Sequence, residues 1–212
     1  RAPATAAQRR LTQAAMRLFV ERGATQISVV DLAQAAGVAR GTVYNNLDDL
    51  SGLFDAVAAD LAAQMREALM TALAPIEDAA ERLAAGMRLA VRRAVEEPEW
   101  GRFVARFGFS AAALRLLWAG RPLDELAAGR AAGRYLLRAD QAQAVATLIS
   151  GATFAAIVTA LETSDPAAGA DAAEWTLVAL GLPRAEARAL ARRPLPLLSP
   201  SASSAAPARG LL

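Results

Sequence analysis

Apolar residues recur at three- and four-residue steps along almost the whole chain, the period of an amphipathic helix, and no segment shows sustained strand alternation. In "AAQRRLTQAAMRLFVERG" (residues 6–23), Leu11, Ala14, Ala15, Leu18 and Phe19 form one such stripe, and Gly23 is placed to close the helix. Ser28-Val29-Val30-Asp31 is a Ser-x-x-Asp capping pattern ahead of Leu32-Ala33. It predicts a short helix to Ala36, broken by Gly37, and a third helix from Arg40 to about Leu47. Asp48-Asp49 then suit the positive end of a helix over residues 50–73. Pro75 is placed at the start of another, to Glu96, and Pro98 resets the chain. One or two helices cover 99–119, Gly120-Arg121-Pro122 predicts a break, and a further helix reaches Arg134. A long apolar helix over 140–163, a loop around Ser164-Asp165-Pro166, a helix over 171–180 and a short one after Pro183 complete the pattern. From Pro194 onward the Pro/Ser/Ala composition reads as an unstructured tail.

The third helix is the odd one. It is short, and Gly41 weakens it, since glycine in a helix interior costs about 1 kcal/mol relative to alanine. With Val43 at the centre of its buried side, Ala39 and Leu47 fall within about 40° of it at 100° per residue. Gly41 and Asn45 then lie opposite, flanked by Thr42 and Tyr44, with Arg40 at the leading edge. Two readings fit: a helical hairpin with a polar outer face, or the second helix of a helix-turn-helix unit seated in a DNA major groove. In the second, Gly41 permits close approach and the Thr42 and Tyr44 hydroxyls hold phosphates. Arg40 and Asn45 would read guanine and adenine edges.

Composition narrows the chemistry. The 212 residues contain no cysteine and no histidine, and all 23 basic residues are arginine. Disulfides, thiolate nucleophiles, His-based acid–base pairs and lysine Schiff bases are therefore unavailable, which argues against an enzyme and against a metal site or cofactor. The net charge of +2 is uneven: residues 1–47 hold six Arg against Glu21 and Asp31, and the remainder is slightly acidic. A basic first fifth is the footprint of a polyanion-binding part. The stretch "AQAVATLISGATFAAIVTAL" (residues 142–161) is uncharged and long enough to span a bilayer. Its Ala, Thr, Ser and Gln content and its acidic flanks, Asp140 and Glu162, instead predict a buried or interface helix, with no membrane partner. Residues 1–10 are polar and basic, without the apolar core of a secretory signal, so a cytoplasmic location is expected.

The segment "ERGATQISVVDLAQAAGVARGTVYNNLDDLSGLF" (residues 21–54) resembles the N-terminal domain of the tetracycline-repressor (TetR) family of transcriptional regulators. The resemblance rests on Gly23, Ser28, Val29, Leu32-Ala33, Ala36-Gly37-Val38, Gly41-Thr42-Val43-Tyr44 and Leu53, at the family's spacing without a gap. It implies an all-α fold with a three-helix helix-turn-helix domain over 1–47, a helical ligand-binding and dimerisation domain over 48–193, and the tail over 194–212. The implied DNA contacts are Ser28, Arg40, Gly41, Thr42, Tyr44, Asn45 and Asn46, on double-stranded DNA with a palindromic operator. A small apolar ligand is expected beside Met65, Leu69, Met87, Trp100, Phe103, Phe107, Leu114 and Trp118, with few polar groups around it. The implied homodimer interface is the long apolar helix, through Ile149, Ala152, Ala156 and Ile157. The expected function is a repressor released by its ligand. Leu50 stands where relatives carry a phosphate-contacting lysine, beside Asp48 and Asp49, and Ala39 replaces a capping serine. Those departures keep open a second reading, a TetR-like dimer with weakened or lost DNA binding that acts as an interaction protein.

Overall fold

Thr5 opens the first helix: its hydroxyl accepts from the Gln8 N–H at 3.2 Å, and the Gln8 side chain accepts from the Thr5 N–H at 2.9 Å. This reciprocal cap satisfies two donors that a helix start otherwise leaves unpaired. The computed structural model describes residues 5–47 and 50–198, and no strand occurs among them. After α1 (Ala6–Arg22) come α2 (Val29–Ala36), α3 (Arg40–Asn46), α4 (Leu53–Leu73), α5 (Ala79–Glu96) and α6 (Pro98–Phe107). A second group follows: α7 (Ala112–Ala131), α8 (Ala142–Thr163), α9 (Ala167–Ala179) and α10 (Arg184–Ala191).

Four local expectations need correction. Pro75 does not start α5; it lies in the connection, and Asp78 caps the helix by accepting from the Ala80 N–H at 2.9 Å. The carboxylate satisfies a helix-start donor, and Arg134, in the connection after α7, holds it in place at 2.9 Å. α9 begins at Ala167, earlier than expected, because Asp165 Oδ1 accepts the Ala167 N–H at 2.8 Å. The tail is docked over its first residues: Arg92 on α5 donates to the Pro196 carbonyl, and Leu195 and Leu198 pack against the core. The rest of the tail, and Asp48 and Asp49, lie outside the described residues.

The fourth correction has the most consequence. Gly120-Arg121-Pro122 does not break the chain; α7 runs through it with Pro122 inside the helix. A proline there has no N–H to give the carbonyl four residues back, which belongs to Trp118. The Ser150 hydroxyl of α8 takes over, donating to the Trp118 carbonyl at 2.7 Å in a buried setting. Ser150→Ala is expected to destabilise the protein by about 1–3 kcal/mol, the cost of an orphaned buried acceptor. Adding Pro122→Ala restores the helical N–H and should return most of that loss, so thermal unfolding of the two single variants and the double variant checks the pairing. Additive losses would show that the two sites are independent.

Two apolar cores result. The larger runs without interruption from the first three helices through α4, α6 and the end of α8, joining Leu11, Phe19, Leu32 and Val43 to Leu53, Leu73, Phe103 and Ile157. The smaller joins Leu83 and Met87 of α5, Leu126 of α7, Ile149 of α8, Leu177 of α9 and Leu190 of α10.

Candidate nucleic-acid interface and regulatory cavity

The turn between α2 and α3 is set by Gly37, whose φ of 64° is the left-handed conformation that side chains disfavour. Its N–H and that of Val38 bond the last carbonyls of α2, at 3.2 and 3.0 Å to Gln34 and Ala33. The chain then enters α3 with Val43 buried beneath α1. Arg40, Gly41, Tyr44 and Asn45 are exposed, Tyr44 by 65%. A side chain built at Gly41 would meet nothing within 4 Å. No packing within the protein demands a glycine there.

Two expected contacts are engaged within the fold. The Ser28 hydroxyl accepts from the Asp31 N–H at 3.1 Å and donates to Asp31 Oδ2 at 2.6 Å. Hydrogen bonds from Arg22 and Ser28 hold the Asp31 carboxyl well below the usual range. Asn46 is half-buried and donates to the Thr42 carbonyl of its own helix at 2.8 Å. Leu50 is half-buried and packs against the core, so this position supplies packing and no charge.

The three-helix head is joined to the body through α6. Phe19 of α1, Phe54 of α4, and Phe103 and Phe107 of α6 form one ring cluster, with centroids 5.0–6.5 Å apart. Arg17 of α1 donates to Glu99 of α6 at 3.2 Å beside it.

At the seam of the two cores a cavity offers about 50 Å³ to the centre of a water molecule. That is well above the ~10–15 Å³ needed to hold one water. Of the eight residues expected beside a ligand, Leu69, Met87 and Trp118 line it. Met65, Trp100, Phe103, Phe107 and Leu114 do not; they are buried in solid packing, most of it in the joint between head and body. Met65 and Trp100 enclose the buried Arg93, which donates to the Met65 sulfur at 3.3 Å and lies 4.8 Å over the Trp100 ring. Burial pushes that guanidinium's pKa down.

Polar side chains share the wall of this mainly apolar cavity. Arg82 of α5, Arg121 and Glu125 of α7, and Ser150 and Thr153 of α8 share the lining. Arg82 Nε donates to Glu125 Oε2 at 2.8 Å, and Arg121 Nη2 to Glu125 Oε1 at 3.1 Å. Arg82 Nη1 also donates to the Ile76 and Glu77 carbonyls, at 2.9 and 2.7 Å, so one side chain spans the cavity wall and the α4–α5 connection. The sequence carried two faint signals of this set: the Arg121/Glu125 pair one helical turn apart, and hydroxyls three residues apart in an otherwise apolar helix.

A groove lies on the outer side of α8 and α9, walled by Leu136, Leu148, Ala152, Trp175 and Ala179. Leu148 is 71% exposed and Trp175 57%, with the Arg184 guanidinium 4.9 Å over the Trp175 ring. Of the four residues expected at a subunit interface, Ala152 lines this groove and Ile149 lies at its base, buried. Ala156 and Ile157 face the protein's own core. α8 with its preceding turn, Ala139–Thr163, is long and apolar enough to cross a membrane, and its buried side packs on α5, α7 and α9.

Comparison with known proteins places both halves of this arrangement. The family profile "Bacterial regulatory proteins, tetR family" matches residues 11–57, and "Tetracyclin repressor-like, C-terminal domain" matches residues 78–193. No curated protein matches the chain. Among solved structures, RolR in complex with the ligand resorcinol is 32% identical, with a TM-score of 0.68 over 90% of this chain and 95% of RolR. The fatty acid degradation regulator FadR from Bacillus halodurans, at 16% identity, shares the fold with a TM-score of 0.70 over 85% of this chain and 99% of its own. A tetR-family regulator from Shewanella sp. PV-4, at 17% identity, does so with a TM-score of 0.69 over 85% and 100%.

Proposed function

The chain belongs to the TetR family of bacterial regulatory proteins, whose members are ligand-responsive DNA-binding repressors, and on that premise we propose that it is a dimeric repressor released from a palindromic operator by a small ring-sized ligand. α3 is the recognition helix, with Arg40 and Asn45 on base edges, Thr42 and Tyr44 on phosphates, and Gly41 at the point of closest approach. The observation that carries this reading is the open space around Gly41 on an exposed polar face. The ligand occupies the cavity between α4, α5, α7 and α8, and the bound resorcinol of RolR supports a ligand of that size. The groove of α8 and α9 meets its two-fold mate, giving a closed dimer whose symmetry matches a palindrome. The ligand favours a dimer whose α3 helices no longer fit the two half-sites, a population shift. Action in the cytoplasm, on the DNA upstream of its own gene, follows from the same reading.

Arg40→Ala is expected to weaken operator binding by about 1–3 kcal/mol more than binding to random DNA, the discrimination of one bidentate guanine contact. Titrations of both DNAs at several salt concentrations measure it. Equal losses would make Arg40 a phosphate contact, and no loss on either would mean that α3 does not read DNA. Binding to neither DNA by the unaltered protein would favour the interaction-protein reading.

A further inference from the structure

We propose that the cavity takes a small apolar molecule carrying one carboxylate, held by the Arg82 and Arg121 guanidiniums. The inference rests on the reading of this cavity as the ligand site and names the class of ligand that fits it.

The charge of the wall is unbalanced. Arg82 and Arg121 share one carboxylate, Glu125, at 2.8 and 3.1 Å, and among the described residues neither has a second within 4 Å. Glu125 is buried, and both arginine side chains are mostly so. One positive charge is therefore left over in a poorly solvated place, where an opposite charge acts far more strongly than in water. A ligand with one negative charge completes the set. A neutral ligand covers the surplus charge and leaves it without a counterion, which is costly.

The donors of the wall are also unspent. Arg82 gives its Nε hydrogen to Glu125 and its Nη1 hydrogens to the Ile76 and Glu77 carbonyls, which leaves Nη2. Arg121 gives a single hydrogen, from Nη2 to Glu125. Trp118 borders the same cavity, and its indole N–H is buried without an acceptor among the described residues. A buried donor left unpaired costs free energy that an accepting ligand recovers. The Thr153 hydroxyl donates at 2.9 Å to the Ile149 carbonyl, which already has its helical partner, so that hydrogen can turn to a ligand. Guanidinium, indole and hydroxyl donors thus border one space, and the only carboxylate in its wall is already engaged twice. A carboxylate accepts and never donates, and its two oxygens match the fork of a guanidinium. Leu69, Leu83, Met87 and Leu117 take the apolar body.

The test uses calorimetric titration of the full chain with three probes that share a ring: benzoate, its uncharged counterpart benzamide, and toluene. Benzoate should bind about tenfold or more tightly than either of the others, the low end for a hydrogen bond to a charged group. Benzamide or toluene binding as tightly as benzoate would overturn the preference for a carboxylate while leaving the cavity as a ligand site. Binding of none of the three would overturn the ring-sized ligand reading and this inference with it. Arg121→Met removes the surplus charge and leaves Glu125 paired with Arg82, so the ion pair that braces the wall survives. It should lower benzoate affinity about tenfold and leave toluene unchanged. Undiminished benzoate binding there would show that the anion is held elsewhere and would overturn the proposal. Trp118→Phe keeps a ring in the wall and removes only the N–H, and should cost benzoate roughly threefold or more, with toluene again unchanged. Equal loss of benzoate and toluene in both variants would mean that these residues only shape the wall, and would overturn the proposal as well.

Discussion

Ala152→Arg should convert the protein from dimer to monomer or aggregate. Ala152 lines the apolar groove of α8 and α9, where Leu148, Trp175 and Ala179 stand open to solvent. No aspartate or glutamate lines that groove, so a guanidinium placed there by each protomer would be buried without a partner. The desolvation penalty is several kcal/mol per ion, incurred twice across a two-fold axis. Sedimentation at micromolar concentration reads the outcome directly. Emission from Trp175 gives a second reading, shifting to the red if the ring loses a covering partner. An unchanged dimer mass would move the interface to another surface.

Phe103→Ala should lower stability by about 3–5 kcal/mol, the range for truncating a fully buried aromatic. Phe103 has no exposed surface and touches three other rings, Phe19 of α1, Phe54 of α4 and Phe107. At ~2–4 °C per kcal/mol for a chain of this size, the melting temperature falls by roughly 6–20 °C. Phe103 belongs to the joint between head and body, so the same variant should release operator less completely at saturating ligand. A melting temperature within about 2 °C of the original would show that the cluster is not packed in solution.

Local chemistry explains which elements were legible. Thr5, Ser28, Gly23 and Gly37 start or stop helices through bonds to their own neighbours, and the first three helices stand close to where those residues put them. The errors came where a distant side chain supplied what the local chain lacked. Pro122 breaks a helix unless something rescues the Trp118 carbonyl, and the rescuer is 32 residues away in sequence. Arg134 reaches 56 residues back to steady Asp78 as a cap. The site shows the same division. Gly41, Tyr44 and Val43 declare their faces from their spacing on one helix. Large apolar residues carry no mark that separates a cavity wall from solid core, so Trp118 and Phe103 looked alike. α8 is apolar nearly all round, so its sequence could not say that Ile157 turns inward and Leu148 outward.

Arg82 joins two things that a sensor designer would wish to adjust separately. Its guanidinium borders the ligand and also grips the carbonyls that follow α4, the helix that runs from the cavity at Leu69 to the head at Phe54. A change of residue 82 therefore alters the concentration at which the protein responds and the size of the response together. Coupling between two sites is reciprocal, so a looser grip on the connection also returns as a changed ligand affinity. Thr153 borders the cavity with no bond beyond its own helix. Threshold can be tuned there without touching the output, which makes position 153, rather than 82, the place to begin when adapting this protein to report a new compound.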